Sequence, residues 1–304
     1  MPAMVEAKKK YLDPQTLSKL DGLQLRARKI VEGYVAGPHR SPYHGFSIEF
    51  TQHRQYVPGD DLRHVDWKVF GRTDKVYLKQ YEEETNLVSY LLLDTSESMS
   101  YQGQASPLSK VDYAKCIAAS LSYLVLQQQD SVGIATFDSK VRRLIHPSGQ
   151  PSHMQQILGT LEQSPAEKKT SLGPLFHDLA ERLGKRGIVV ILSDLFDDPE
   201  KILAGLQHFR HRQHDVILFH ILDADEREFP FHQMTRFCGM EDWPDQITDP
   251  RQLRQSYLRE MDRFLQRIAR GCREQRVDYV PLLTNESLDV ALSSYLAGRM
   301  VQKT

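Results

Sequence analysis

The fold is decided by the stretch Leu91-Leu92-Leu93-Asp94-Thr95-Ser96-Glu97-Ser98-Met99. An uncharged apolar run ends in a carboxylate, and two hydroxyls follow it at alternate positions. A short, continuous apolar run bounded by polar residues is typical of a fully buried strand. In open α/β sheets, ligands bind at the carboxyl ends of strands, beside a topological switch point. The stretch therefore predicts a buried strand whose end carries a ligand site.

The residues after Thr85 alternate between apolar runs and amphipathic segments, which predicts a mainly parallel sheet with helices on both faces. Strands are predicted at Val88–Leu93, Ser131–Phe137, Val141–Ile145, Ile188–Leu192, Val216–Ile221 and Asp278–Leu282. Helices are predicted at Lys110–Gln128, His153–Leu161, Leu172–Leu183, Pro199–His211, Asp249–Glu274 and Glu286–Arg299. Asp138-Ser139-Lys140 separates the second and third strands by a hairpin-length turn, so we expect one antiparallel edge strand. Proline and aromatic residues interrupt the alternation at 223–250, where we expect an ordered loop excursion.

The first 86 residues follow a different pattern and predict a small α+β module. Apolar residues recur there at helical spacing, and two strand-like stretches follow. The predicted elements are a helix within Pro14–Ala36, strands within Ser47–Val57 and Val76–Tyr81, and a helix at Leu62–Phe70. We therefore expect an N-terminal module at 1–86 and an α/β domain at 87–304.

Composition and charge exclude several classes of partner. Lys plus Arg total 39 against 40 for Asp plus Glu, so no global basic field attracts nucleic acid. The three cysteines lie far apart and lack a CxxC spacing, which argues against a disulfide framework and fits a reducing cytoplasm. The longest apolar runs are strand-length, well short of the roughly 20 residues of a membrane-spanning helix. We expect a cytoplasmic protein without a membrane span.

Two more segments place oxygen atoms near the end of the first strand. Thr170 precedes a predicted helix, and Asp194 follows the fourth predicted strand. Mg²⁺ accepts oxygen ligands and needs only one or two carboxylates from a protein. Together with Asp94, Ser96 and Ser98, these residues predict a site for Mg²⁺ or Mn²⁺. Each of them alone is also a common helix cap or turn residue, and their joint occurrence is what favours a metal.

The order of these five residues resembles the metal-ion-dependent adhesion site of von Willebrand factor type A domains. That pattern is Asp-x-Ser-x-Ser, followed by a distant Thr and a distant Asp. The resemblance implies a von Willebrand factor A-like fold and a metal with one coordination position open for a partner. An incompletely neutralised dication at a surface attracts a carboxylate, so the chemistry agrees with the resemblance. We expect a client protein to present an Asp or Glu to the metal.

A second resemblance lies in the N-terminal module. The stretches Arg54–Lys68 (RQYVPGDDLRHVDWK) and Val76–Glu84 (VYLKQYEEE) are similar to the signature of the bacterial domain-of-unknown-function family numbered 58. The likeness extends to Phe229-Pro230-Phe231, to Tyr257 and to the closing segment Pro281–Arg299. Members of that family commonly accompany MoxR-type AAA+ ATPases. The resemblance implies an adaptor that works with such an ATPase in protein assembly or remodelling.

The signature stretch has two interpretations. Pro58-Gly59 can form a turn, the next aspartates can cap a helix, and Trp67 can be buried, which makes the stretch structural. Alternatively, its basic side chains contact the ATPase. The candidate contact residues are Arg54, Arg63, His64 and Lys68. The sequence alone leaves both interpretations open.

Enzymatic alternatives lack residues that they need. A haloacid-dehalogenase-type phosphohydrolase using Asp94 as nucleophile requires a second carboxylate two residues later, where this chain has Ser96. The sequence contains no GxxxxGK[ST] loop for nucleotide phosphates and no GxSxG motif for a hydrolase nucleophile. His208, His211 and His214 fit a solvated helix end rather than a zinc site. We expect a non-enzymatic protein, and a structural scaffold with a non-functional metal site is the main alternative.

Overall fold

The computed structural model describes residues 23, 27–28, 30–31, 52–55, 67–73, 76–80, 87–163, 172–240 and 244–302. The chain forms two compact units, one at Arg40–Asn86 and one comprising Met1–His39 and Leu87–Thr304. The upper limit of the smaller unit coincides with the boundary expected after residue 86. The first 39 residues group with the larger unit, which differs from the predicted module of residues 1–86.

The smaller unit contains a two-stranded antiparallel sheet and a short helix. Strand β1 (Gln52–Gln55) pairs with β2 (Tyr77–Gln80), and helix α1 (Trp67–Thr73) lies between them in sequence. Trp67 is 65% exposed, and its ring meets the edge of Phe70. The structural interpretation of the signature stretch, in which Trp67 is buried, is therefore wrong for this residue. Trp67 begins α1, and its ring partner lies three residues on along the same short helix, which covers only part of its surface.

A six-stranded sheet forms the centre of the larger unit. Its strands are β3 (Val88–Asp94), β4 (Ser131–Phe137), β5 (Val141–Ser148), β6 (Ile188–Ser193), β7 (Asp215–Leu222) and β10 (Asp278–Leu283), while β8 (Thr235–Phe237) and β9 (Gln246–Thr248) form a separate hairpin. The spatial order is β10-β7-β6-β3-β4-β5, and every neighbouring pair is parallel except β4 with β5. The predicted antiparallel edge strand is confirmed.

Helices cover both faces of this sheet. They are α2 (Lys110–Gln127), α3 (His153–Glu162), α4 (Leu172–Arg182), α5 (Pro199–His211), α6 (Ala224–Glu228), α7 (Pro250–Glu274) and α8 (Asp289–Gln302). On one face, Tyr295 of α8 and Ser89 of β3 share a hydrogen bond of 2.8 Å. On the other face, α4, α5 and α7 enclose a core that includes Tyr90 and Leu92. Successive strand residues point to opposite faces, so β3 is buried on both sides and the predicted fold class is confirmed.

The leading helix is also seen where the structure describes it. Leu23, Ala27, Ile30 and Val31 are helical and buried. Their spacing of three to four residues puts them on one face of a helix. The rest of the predicted helix within Pro14–Ala36 lies outside the described residues.

The segment 223–250 contains more regular structure than expected. It begins with α6, whose capping box joins Asp223 and Glu226, and it continues to the β8–β9 hairpin, where Thr235 lies opposite Thr248. The expected ordered excursion therefore contains a short helix and a short hairpin. The capping box is a local signal for a helix start, and its five-residue helix is too short to leave an amphipathic pattern.

Strand β3 lies at the topological switch point of the sheet. The chain adds β4 and β5 on one side of β3, and then returns to add β6, β7 and β10 on the other. Loops that leave neighbouring strands in opposite directions open a crevice at the carboxyl ends of those strands. Asp94 ends β3 and Asp194 directly follows β6, so both aspartates lie at this crevice.

Candidate metal centre

Four of the parallel strands, β3, β4, β6 and β7, each end at or directly before a buried aspartate. Asp94 is the last residue of β3, while Asp138, Asp194 and Asp223 directly follow β4, β6 and β7. Their exposed fractions are 1%, 1%, 6% and 0%. Because parallel strands end at one edge of a sheet, the four carboxylates line the same edge. They differ in how each negative charge is compensated.

The hydrogen-bond donors to Asp94 are neutral groups. The hydroxyl of Ser193 donates to Asp94 Oδ2 at 2.6 Å, and the backbone N–H of Ser96 donates to Oδ1 at 2.9 Å. Burial, and then the charge of Asp194, raise the pKa of Asp94 to about 7, against the opposing effect of these hydrogen bonds. A cation placed at this carboxyl would favour its charged form.

Two serine hydroxyls lie just beyond Asp94, on the 3-10 turn Glu97–Ser100 and the residue before it. The Oγ atoms of Ser96 and Ser98 are 3.1 Å apart, and both residues are buried. Each hydroxyl oxygen carries lone pairs that can coordinate a cation. The structure thus brings together the three predicted ligands that are close in sequence.

Asp194 has a cationic partner that the sequence patterns do not predict. Nζ of Lys110 lies 2.7 Å from Asp194 Oδ2 and 2.6 Å from Oε1 of Glu226, and Lys110 is only 2% exposed. Burial acts to lower the pKa of Lys110, but the two carboxylates outweigh it and the pKa is raised. The ammonium therefore stays charged and compensates Asp194.

One local feature does indicate an anion near Lys110. This lysine is the first residue of α2, after the N-cap Ser109, whose side chain accepts a hydrogen bond from the backbone of Asp112. The positive end of a helix dipole disfavours a cation at that position. A lysine there, followed by an apolar run, is best accommodated beside carboxylates supplied by another part of the chain.

The turn after β6 fixes Asp194 and exposes the side chain of Phe196. Leu195 has a φ of 54°, in the left-handed region, while its side chain is fully buried. Such a conformation costs a non-glycine residue about 1–3 kcal/mol, so surrounding contacts must hold it. Leu195 N–H donates to Ser193 Oγ at 2.9 Å, and Phe196 N–H donates to Asp194 Oδ1 at 3.3 Å. Phe196 is consequently 56% exposed, two residues from Asp194.

A buried histidine supports the same turn from β7. Nε2 of His220 lies 3.0 Å from the carbonyl oxygen of Asp194, and its Nδ1 lies 2.8 Å from the hydroxyl of Tyr279. Burial lowers the pKa of His220 to about 4, so the ring is neutral near pH 7. A neutral ring has one N–H, which donates to the Asp194 carbonyl while Nδ1 accepts from Tyr279.

Asp138 and Asp223 have structural partners. Asp138 forms an ion pair with Arg142 and accepts a hydrogen bond from Lys140 N–H at 3.1 Å. Asp223 caps α6 and accepts from Gly103 N–H and Thr284 Oγ1, both at 3.0 Å. Within the part of the chain that the structure describes, Asp94 is thus the strand-end aspartate that has neither a cationic partner nor a helix to cap.

The remaining predicted site residues are described only in part. Thr170 lies outside the described residues, and so do Arg63 and His64. Arg54 lies in β1, and Lys68 lies in α1. Ser193, Lys110 and His220 belong to the site but are not among its predicted residues. Their contacts with Asp94 and Asp194 join different strands and helices, and no short motif encodes them.

The donor set fits a hard divalent cation. The carboxylate of Asp94 and the hydroxyls of Ser96 and Ser98 are oxygen donors, which Mg²⁺ and Mn²⁺ prefer over nitrogen or sulfur. No three His, Cys, Asp or Glu side chains among the described residues form a group that could hold a metal. A metal at this edge of the sheet would therefore depend on hydroxyl groups and water as well as on carboxylates.

Comparison with known families identifies the chain. A family model described as "Protein of unknown function DUF58" matches residues 52–264. The chain belongs to the DUF58 family. An uncharacterized relative from Mycobacterium tuberculosis is 29% identical over 221 residues, which cover 72% of the DUF58 chain described here and 68% of the relative. The resemblance to this family in the N-terminal signature is confirmed.

Solved structures similar to this DUF58 chain include a bacterial protein and a VWA domain. BatB from Bacteroides thetaiotaomicron has a TM-score of 0.47 and 15% identity, over 71% of this chain and 99% of BatB. The VWA domain of SpRpn10 has a TM-score of 0.38 and 11% identity, over 69% of this chain and 94% of that domain. The mainly parallel sheet with one antiparallel edge strand is the α/β architecture that the resemblance to von Willebrand factor A domains implies. Among its described helices, none has the length and apolar character needed to span a bilayer.

Proposed function

We propose that this DUF58 protein is a non-enzymatic, metal-dependent adaptor that binds Mg²⁺ or Mn²⁺ through Asp94, Ser96 and Ser98. The observation that carries the proposal is the buried carboxyl of Asp94, whose pKa is raised to about 7 by burial and by Asp194. A buried carboxylate needs a compensating charge, and hydroxyls beside it suit a hard cation. Asp194 and Thr170 complete the proposed ligand set, as the resemblance to adhesion sites implies.

The surface beside the proposed metal supports protein recognition. Phe196 exposes 56% of its area next to the turn that carries Asp194. Aromatic side chains at the centre of an interface commonly carry much of its binding energy. A client that presents an Asp or Glu to the open coordination position would bring apolar surface onto Phe196. Binding of the client would then depend on both its acidic group and its apolar contact with Phe196.

The proposed partner is a MoxR-type AAA+ ATPase, and the proposed location is the cytoplasm. Support for the partner comes from the family resemblance of the signature around Arg54 and Lys68. The exposed Trp67 adds a large apolar side chain to that stretch, which favours its interpretation as a contact surface. Protein assembly or remodelling driven by the ATPase is the function that follows.

A structural scaffold is the second candidate, and Lys110 is the observation that favours it. The lysine already compensates Asp194, so a chain with this ion pair has less need of a metal at that position. A phosphohydrolase that uses Asp94 has less support, because Ser96 occupies the position of the required second carboxylate.

The test is a titration of the purified chain with Mn²⁺ or Mg²⁺, read by calorimetry and by thermal unfolding in metal or chelator. We expect the wild type to bind one divalent ion and to unfold at a higher temperature in its presence, because the ion binds the folded state alone. Asp94→Ala should abolish both effects. Asp138→Ala is the matched control, since it also removes a buried strand-end aspartate but should retain the response to metal.

Partner binding is tested by mixing the chain with the MoxR-type ATPase encoded in the same genome, in Mg²⁺ or in chelator. We expect association in Mg²⁺ that is lost in chelator and in Asp94→Ala. If neither the metal nor the substitution at Asp94 changes stability, ion binding or association, the scaffold replaces the adaptor. Turnover of an aryl phosphate that Asp94→Ala abolishes would instead establish the phosphohydrolase.

A further inference from the structure

Lys110 connects the two acidic elements that border the crevice. Its ammonium lies between Asp194, at the end of β6, and Glu226, on α6, at 2.7 and 2.6 Å. Its backbone N–H donates to the carbonyl of Tyr101 at 3.0 Å, which fixes the start of α2 beside both carboxylates. The lysine is 2% exposed, so its charge interacts with these groups with little screening by water.

Glu226 is a preformed second partner for the ammonium. Its Oε2 accepts a hydrogen bond from Asp223 N–H at 2.8 Å as part of the capping box, and its carbonyl accepts from the hydroxyl of Tyr257 at 2.9 Å. Its Oε1 is therefore held towards Lys110 by contacts that do not involve Asp194. Lys110 keeps a carboxylate partner when Asp194 is engaged elsewhere.

We propose that Lys110 sets the metal affinity of the site by competing, as a tethered cation, with the divalent ion for Asp194. This inference rests on the proposed function, because it assigns a positioning residue to the same metal centre. In the metal-free chain, the ammonium holds Asp194 and keeps the crevice folded. When an ion binds at Asp94, Asp194 turns towards it and Lys110 remains paired with Glu226.

The charges determine whether each substitution raises or lowers the affinity for the metal. The carboxyl groups of Asp194 and Glu226 share one ammonium, and Asp94 lies at the same edge of the sheet without a cationic partner. Removal of the ammonium frees Asp194 and makes the crevice more negative, so a divalent ion should bind more tightly. Removal of the Glu226 charge does the opposite, because Lys110 is then left with Asp194 alone. The two substitutions should therefore shift metal affinity in opposite directions.

The experiment measures Mn²⁺ binding by calorimetry to the wild type, Lys110→Met and Glu226→Gln. We expect the Kd to fall roughly 10–100-fold in Lys110→Met and to rise by a similar factor in Glu226→Gln; the size is that of the losses caused by changing residues that contact metal ligands, and the direction follows from the charges. Lys115→Met is the matched control on the same helix. Nζ of Lys115 lies 3.9 Å from Oδ1 of Asp112 in a partly exposed ion pair. Removal of the Lys115 charge should leave the Kd for Mn²⁺ unchanged.

A merely structural lysine would lower the unfolding temperature without moving the Kd. Unchanged or weaker Mn²⁺ binding by Lys110→Met overturns the inference while leaving the metal site itself in place. A wild type that binds no Mn²⁺ overturns the proposed function, and the inference with it. If Lys110→Met does not fold, Glu226→Gln decides: weaker binding supports competition, and unchanged or tighter binding refutes it.

Discussion

Asp94 and Asp194 end neighbouring parallel strands, and both are buried, yet the chain compensates their charges differently. Asp194 receives an ammonium from α2, whereas Asp94 receives one hydroxyl and one backbone N–H. The sheet topology alone brings both carboxylates to the crevice. The partners that the other elements supply then decide which carboxylate is neutralised within the chain and which has only neutral hydrogen-bond donors.

The largest expected change in the free energy of unfolding follows removal of the cation that pairs with Asp194. Lys110→Ala, measured in chelator, leaves Asp194 and Glu226 buried without their common cation. The free energy of unfolding should fall by about 3–5 kcal/mol, as is typical when one member of a buried ion pair is removed. Urea denaturation provides the measurement, with Lys115→Ala as the control on the same helix. Equal losses in the two variants would mean that the buried ion pair contributes no more than a surface contact.

Removal of the charge at Asp94 is expected to increase the free energy of unfolding, whereas removal of the charge at Lys110 decreases it. Asp94→Asn should raise the free energy of unfolding by up to about 4 kcal/mol at pH 8 in chelator, because it removes a buried charge. Burial and Asp194 raise the pKa of this carboxyl from 3.8 to about 7 in the folded chain. The wild-type penalty is therefore absent below pH 3.8, grows as the pH rises and is complete above pH 7.

The pH dependence separates this effect from a general change in packing. Denaturation of wild type and Asp94→Asn at several pH values should give curves that converge near pH 4 and diverge towards pH 8. A constant offset between them would contradict the assigned origin of the penalty. Addition of Mg²⁺ at pH 8 should stabilise the wild type and leave the variant unchanged.

A smaller loss is expected from the hydroxyl that holds Asp94. Ser193→Ala removes the donor to Asp94 Oδ2 and the acceptor for Leu195 N–H, so buried groups lose their partners. The free energy of unfolding should fall by about 1–2 kcal/mol in chelator. Ser120→Ala is the control, since that buried hydroxyl donates only to a carbonyl of its own helix. A smaller loss at Ser193 than at Ser120 would show that Asp94 does not depend on its hydroxyl.

The smallest effect on stability is expected at Phe196, where binding should change most. Phe196→Ala should alter the free energy of unfolding by no more than about 0.5 kcal/mol, because the side chain is largely exposed. Metal affinity should be unchanged, while association with the ATPase or client weakens. Met234→Ala, at another exposed apolar residue, is the matched control and should leave association intact. Full association of Phe196→Ala would remove this residue from the proposed interface.

The sheet could be predicted because each of its central strands is buried on both faces and appears as a continuous apolar run. The predicted end of the edge strand differs from the observed one. β5 extends to Ser148, beyond the predicted end at Ile145, because an edge strand can include a proline such as Pro147. Asp94, Ser96 and Ser98 could also be predicted, since their spacing is local.

The compensation of charge at the site could not be predicted in the same way. Lys110 is separated from Asp194 by 84 residues and from Glu226 by 116, and nothing in a local pattern pairs them. Its position at the start of α2 was the one local sign of a nearby anion. Ser193 could not be predicted as a site residue either. It ends an apolar strand, and its hydroxyl donates a hydrogen bond to Asp94 on another strand.

The placement of β6 beside β3 has a consequence for synthesis on the ribosome. The hydroxyl of Ser193 and the carboxylate of Asp94 are 99 residues apart in the chain. Translation adds about 5–20 residues per second, so roughly 5–20 s pass between their appearance. During that interval Asp94 has no partner strand on the β6 side, and a divalent ion finds no assembled crevice to bind. A divalent ion at the proposed site could therefore bind only after β6 has been made and has paired with β3.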